Sequence, residues 1–124
     1  MYKNVLIVDS DTNISASLGF LLGHSGLHVS TAGSYDEALS VARDRRPDVV
    51  LMDAVLPDGS GYDLCQALLN QPGLSHLPVL MLTTRGLEVE REKALSLGAM
   101  DFIVKPFNPM LVLTRVQELL REAA

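Results

Sequence analysis

The chain has 124 residues, of which 48% are hydrophobic and 20% charged, and carries a net charge of −5. That length can bury a core without disulfides or structural metal, and the composition excludes a disordered chain. The acidic balance argues against direct nucleic-acid binding, which usually needs a basic face; the one cysteine, Cys65, excludes a disulfide framework and favours a reducing, cytoplasmic compartment.

The first apolar run, Val5 to Val8, is too short for a signal peptide or a membrane span and reads as a strand ending at Asp9. Ile14, Leu18, Leu21 and Leu22 then recur with helical spacing, and Gly23 or Gly26 can end that helix. A second strand is expected from Leu27 to Thr31. A second helix carries Ala38, Leu39 and Ala42, with Ser34 as its cap and Glu37 three residues on. Arg43, Arg45 and Arg46, the only dense basic run, fall at the end of this helix, where cations offset the helix dipole.

Val49 to Met52 is a third apolar strand and runs directly into Asp53. Leu64, Leu68 and Leu69 mark a third helix stopped by Pro72-Gly73, with Cys65 inside it as a small packed hydrophobe. A fourth strand, Val79 to Leu82, ends in Thr83-Thr84. A fourth helix from about Leu87 to Leu97 ends at Gly98. A fifth strand, Phe102 to Val104, ends in Lys105-Pro106, and Val112, Val116, Leu119 and Leu120 mark a fifth helix with Pro109 near its start. His24, His28 and His76 show no ligand spacing and default to the surface.

Strands that are continuously apolar are buried on both faces, which is the mark of a parallel sheet. Five such strands alternating with helices predict an α/β fold: one doubly wound parallel sheet, (βα)5, in a single domain over residues 1–124. With the common flavodoxin-like strand order, 2-1-3-4-5, Asp9, Asp53, Thr83 and Lys105 all reach one rim, where ligands of such folds bind. Taken singly, each has a dull explanation: a helix cap, an ordinary strand end, a solvated lysine. Asp53, however, interrupts an apolar stretch and needs a partner, since a lone buried carboxylate is costly. Lys105 and a metal ion can supply it. Such a group suits phosphoryl transfer, in which the protein positions and neutralises spreading negative charge. Asp53 would be the nucleophile forming an acyl phosphate, with Lys105 and Thr83 binding phosphoryl oxygens.

The runs Val5-Leu6-Ile7-Val8-Asp9, Pro47-Asp48-Val49-Val50-Leu51-Met52-Asp53, Leu56-Pro57-Asp58-Gly59-Ser60-Gly61, Met81-Leu82-Thr83-Thr84, Leu97-Gly98-Ala99 and Asp101-Phe102-Ile103-Val104-Lys105-Pro106-Phe107 resemble, in order and spacing, the receiver domains of two-component response regulators. The resemblance covers essentially the whole chain. It implies that Asp53 is the phospho-acceptor and that Asp9, Asp53 and the main-chain carbonyl of Val55 hold Mg²⁺. Thr83 would be the switch hydroxyl, Lys105 the lysine that pairs with the phosphoryl group, Pro106 a proline usually joined through a cis bond, and Phe102 the aromatic switch. The implied donor is a histidine kinase or a small acyl phosphate. The implied output is a change in the surface of the fourth helix, fifth strand and fifth helix, read by a downstream domain or protein. Asp101 and Arg115 on that face resemble a cross-dimer ion pair, so a homodimer formed on phosphorylation is one outcome the resemblance allows. Such a protein is not an enzyme beyond promoting its own phosphorylation and dephosphorylation.

Three departures stand out. Ser10, in Asp9-Ser10-Asp11, replaces an acid that binds Mg²⁺ directly, which predicts weaker metal binding unless a water on Ser10 or a shift of Asp11 compensates. Val55 offers no side-chain group to orient an attacking water; with Arg85 two places past Thr83, slow loss of the phosphoryl group is expected. Met100 and Leu111 stand where charges are frequent, so the output face is partly apolar. Ser10 also leaves room for a pseudo-receiver that acts by phosphorylation-independent protein binding. Asp9-Ser10-Asp11 resembles, besides, the DxD nucleophile motif of haloacid-dehalogenase-type phosphatases, but those need a further acidic pair after the lysine, and only Glu118 and Glu122 follow Lys105 here.

Overall fold

The computed structural model describes residues 2–84 and 86–123. Five parallel strands, β1 (Asn4–Val8), β2 (His28–Ala32), β3 (Val49–Asp53), β4 (Val79–Thr83) and β5 (Asp101–Val104), form one sheet in the order β2-β1-β3-β4-β5. Helices α1 (Thr12–His24), α2 (Tyr35–Arg45), α3 (Gly61–Leu69), α4 (Glu88–Ser96) and α5 (Pro109–Ala123) connect the strands or follow the last of them. This is the expected α/β architecture and strand order. A short antiparallel hairpin, Val55–Leu56 against Gly59–Ser60, lies between β3 and α3 and was not foreseen.

Alternation along the strands divides the core into two layers. Leu6, Val8, Val50, Met52, Val79 and Met81 pack with Ala38 and Ala42 of α2, Leu64 and Leu68 of α3, and Ala94 of α4. Val5, Ile7, Val49, Leu51, Leu80 and Leu82 pack with Leu18 and Leu22 of α1 and Val112, Val116 and Leu119 of α5. The central strands are therefore apolar throughout because both faces are covered. Among the described residues, no helix is long and apolar enough to cross a membrane.

Local chemistry explains the element ends. Helix α1 runs through Gly23 and stops at Gly26, whose φ of 91° suits glycine. The Leu27 amide closes back on the Leu22 carbonyl at 3.3 Å. Leu27 thus belongs to the helix cap, and β2 starts one residue later than the expected Leu27. Ser34 caps α2 as expected, accepting from the Glu37 amide at 3.2 Å. The Glu37 side chain reaches past Ser34 to the Gly33 amide at 2.6 Å. Arg43 and Arg45 occupy the last turn of α2, as read from the sequence, and the Arg46 guanidinium donates to the Pro72 carbonyl at 3.1 Å. Helix α4 begins at Glu88, with Leu87 as an N-cap that offers no side-chain acceptor. His24, His28 and His76 are exposed, and Cys65 is buried, its thiol pushed up to about 11 by burial.

Candidate functional site

Asp9, Asp53 and Lys105 converge at the C-terminal rim of the sheet. Asp9 follows β1, Asp53 ends β3, and Lys105 follows β5, so the parallel topology gathers residues far apart in sequence. Lys105 Nζ donates to Asp9 Oδ2 at 2.7 Å and to Asp53 Oδ2 at 3.0 Å. Asp9 Oδ1 accepts the Asp11 amide at 2.9 Å, and Asp53 Oδ1 accepts the Val55 amide at 3.1 Å. Burial opposes the charge on Lys105, but its hydrogen bonds to Asp9 and Asp53 and their charges outweigh it, raising its pKa. The ammonium is therefore held charged between two carboxylates. Among the described residues, no buried side-chain polar atom lacks a partner.

The two acids differ in access. Both oxygens of each acid are hydrogen-bonded, but the Asp9 side chain is 1% exposed and the Asp53 side chain 16%. Asp53 is thus the carboxylate open to an incoming group. It lines a cleft of about 450 Å³ together with Asp9, Ser10, Asp11, Thr84 and Lys105. Thr83 ends β4 buried at 1% exposure and does not line this cleft, and its carbonyl accepts the Lys105 amide at 2.7 Å. The peptide bond between Lys105 and Pro106 is cis.

The donor set bears on a metal. Among the described residues no three His, Cys, Asp or Glu side chains cluster. The rim does offer two carboxylates, the exposed Ser10 and main-chain carbonyls. Oxygen donors of this kind suit Mg²⁺, which keeps several waters and needs only one or two carboxylates. Asp11 is less available than its position suggests: its Oδ1 caps α1, accepting the Asn13 amide at 2.9 Å and the Ile14 amide at 3.4 Å.

A family model described as the response regulator receiver domain matches residues 5–117. The chain belongs to that family. The receiver domain is 37% identical over 123 residues to the phosphate regulon transcriptional regulatory protein PhoB of Rhizobium meliloti, covering 99% of this chain and 54% of that protein. It is likewise 37% identical to the alkaline phosphatase synthesis transcriptional regulatory protein PhoP of Bacillus subtilis, covering 99% and 50%. The chain thus spans about half the length of these curated relatives. Among solved structures it is similar to the chemotaxis response regulator CheY4 of Vibrio cholerae, with TM-score 0.90 and 32% identity over 96% of this chain and 99% of that one. It is also similar to a putative response regulator of Chloroflexus aurantiacus, with TM-score 0.91 and 34% identity over 98% and 99%.

Val55 stands at the start of the hairpin beside Asp53, its side chain turned outward and 51% exposed. Phe102 is partly buried against the core layer under α2, α3 and α4. Asp101 and Arg115 do pair, but within one chain: Arg115 Nε donates to Asp101 Oδ2 at 2.7 Å. The Asp101 hydrogen bond raises the Arg115 pKa further. Glu118 and Glu122, the only acids available to a dehalogenase-type site, lie 3.2 and 3.8 Å from the same guanidinium on α5, and do not line the cleft. Met100 and Leu111 are 44% and 56% exposed, so the face carried by α4, β5 and α5 is partly apolar as expected. Arg85 lies outside the described residues.

Two contacts had no reading in the sequence. The Tyr62 hydroxyl donates to Glu90 Oε2 at 2.6 Å, with Lys93 Nζ 4.5 Å from its ring centroid, which ties α3 to α4. The Asp58 carboxylate accepts the amides of Tyr35 at 2.7 Å and Asp36 at 3.1 Å. Asp58 lies in the receiver-like run Leu56-Pro57-Asp58-Gly59-Ser60-Gly61, but its partner, the start of α2, is visible only in three dimensions.

Proposed function

We propose that this receiver domain is a switch of a two-component system, set by transfer of a phosphoryl group to Asp53. The observation that carries the reading is the bridge of Lys105 between Asp9 and Asp53, with Asp53 the more accessible of the two. An Asp53 carboxylate oxygen attacks phosphorus, forming an O–P bond as the donor's P–N bond breaks in a phosphohistidine, or its P–O bond in a small acyl phosphate. The leaving imidazole or carboxylate keeps the bonding electron pair. Lys105 stays charged and can follow the new negative charge from Asp53 to a phosphoryl oxygen. The Thr83 hydroxyl supplies a further hydrogen bond once its side chain turns toward the cleft.

Asp9, Asp53 and the Val55 carbonyl would hold Mg²⁺, which when bound neutralises charge on the transferring group. In this reading the domain works in the cytoplasm, takes its phosphoryl group from a histidine kinase, and acts on no nucleic acid or membrane directly. Its output is a change in α4, β5 and α5. In this reading Thr83 and Phe102 are the moving side chains; Thr83 pairs with Val104 across β4 and β5, and Phe102 lies two residues before Val104 on β5. Asp101 and Arg115 lie on that face and would join a homodimer contact only by exchanging their intrachain partner.

Incubation with Mg²⁺ and acetyl phosphate followed by intact mass spectrometry tests the reading. A gain of one phosphoryl mass, abolished in Asp53→Ala, is expected; an unmodified wild type would overturn it. Ser10 and the engagement of Asp11 in the α1 cap favour one second reading, a pseudo-receiver that binds partners without phosphate. The same experiment separates the two.

A further inference from the structure

The hairpin that follows Asp53 carries Val55, and its strands are only two residues long. A hairpin of that size has little stability of its own. Most of its ties are to itself or to the strand beneath: the Val55 amide to Asp53 at 3.1 Å, the Gly61 amide to the Ala54 carbonyl at 2.9 Å, and the Ala54 amide to the Leu82 carbonyl at 3.2 Å. Asp58, at the hairpin's turn, reaches a different layer of the molecule. Its two carboxylate oxygens take one amide each from the first turn of α2, Tyr35 at 2.7 Å and Asp36 at 3.1 Å. These amides are left without partners inside any helix, and the positive end of the helix dipole lies there. The Ser34 side chain takes the next amide, that of Glu37, so Asp58 and Ser34 together complete the cap. Beside Asp58, a Cβ on Gly59 would come within 3.1 Å of the Tyr35 ring, so the turn and the helix start are in close contact.

We propose that Asp58 is a positioning residue for the Asp53 site: by clamping the hairpin to α2, it holds the Val55 main chain where it serves the metal and the phosphoryl group. The inference rests on the function proposed above. The hydrogen bonds from Tyr35 and Asp36 also lower the Asp58 pKa, consistent with a charged clamp at neutral pH. The hydrogen bonds of Asp58 go to Tyr35 and Asp36, not to Asp53 or Lys105, so it acts through the hairpin.

The test compares wild type, Asp58→Ala and Asp58→Asn, the last retaining one oxygen acceptor. Mg²⁺ is titrated against backbone amide NMR shifts of residues 53–56 and 58–61, and stability is measured by urea unfolding. Phosphorylation by acetyl phosphate is followed across Mg²⁺ concentrations. Asp58→Ala should raise the Mg²⁺ midpoint by about fivefold, the worth of roughly one ordinary hydrogen bond. Phosphorylation should slow at low Mg²⁺ and recover at saturation, with Asp58→Asn in between. A drop in urea midpoint with an unchanged Mg²⁺ midpoint would make Asp58 purely structural and overturn the proposal. A wild type that binds Mg²⁺ but takes no phosphoryl group would overturn the proposed function while the titration still decides the clamp. A wild type that does not bind Mg²⁺ overturns both.

Discussion

Gly61 packs so closely on Asp53 that a Cβ at residue 61 would overlap the Asp53 carbonyl oxygen. The chain turns back on itself there, with the Gly61 amide on the Ala54 carbonyl, so the obstacle is backbone that cannot swing aside. Gly61→Ala should cost about 1–3 kcal/mol, the usual range for overpacking a close-packed site. Urea unfolding measures it; a midpoint equal to wild type would show that the turn yields.

Among the described residues, Lys105 is the only cation that bridges Asp9 and Asp53. Lys105→Met leaves the buried Asp9 carboxylate without its counter-charge and should cost about 3 kcal/mol, the lower end for breaking a buried pair because Asp53 is partly open. Asp53→Asn keeps the Lys105 to Asp9 bond and should cost much less. Chemical denaturation of both variants checks the order, and equal losses would contradict it.

Ser10 stands exposed on the rim of the cleft. A carboxylate there adds an attraction to Mg²⁺ of up to about 4 kcal/mol per unit charge at 4 Å before desolvation. Ser10→Asp should therefore tighten Mg²⁺ binding by about tenfold or more. Titration of the two proteins with Mg²⁺ decides, and identical midpoints would refute a role for the missing acid.

Val55 presents a methyl-bearing side chain beside Asp53. It has no group to orient a water for attack on the acyl phosphate. Val55→Asn should shorten the phosphoryl lifetime, by about tenfold if the amide places one water well. Decay of the phosphorylated mass after removal of donor gives the lifetimes, and equal values count against the prediction.

The Asp58 clamp has a pH signature. The Tyr35 and Asp36 amides lower the Asp58 pKa below its ordinary 3.8. A carboxylate with a depressed folded-state pKa stabilises the fold above the unfolded value and loses that contribution as pH falls through the folded one. Wild-type stability should thus decline below pH 3.8 by an increment that Asp58→Asn lacks. Unfolding midpoints collected from neutral pH downward show it, and parallel curves would exclude it.

Much of this was legible in the chain. Local rules suffice where neighbours in sequence decide the outcome: the apolar runs became strands, Ser34 capped α2, and Gly98 ended the turn after α4 with φ of 106°, although only β1, β3 and β4 are buried and the edge strands β2 and β5 are largely half-exposed. The boundaries that moved did so for local hydrogen bonds with no compositional mark, as at Leu27, whose amide serves α1. Asp53, Asp9 and Lys105 could be nominated because each interrupts or directly follows an apolar run. The hairpin could not be, since Leu56-Pro57-Asp58-Gly59 shows no strand periodicity.

By itself, then, the sequence determined the alternation of strand and helix, the parallel sheet and the identity of the charged residues at its rim, because hydrophobic periodicity and turn chemistry act over a few residues. Only the tertiary structure decided who partners whom. It set Lys105 on Asp9 and Asp53, committed Asp11 to a helix cap, closed Asp101 on Arg115 within one chain, and set Asp58 on α2. Those choices depend on distances between residues far apart in the chain, fixed by strand order and by which amides each helix leaves unpaired.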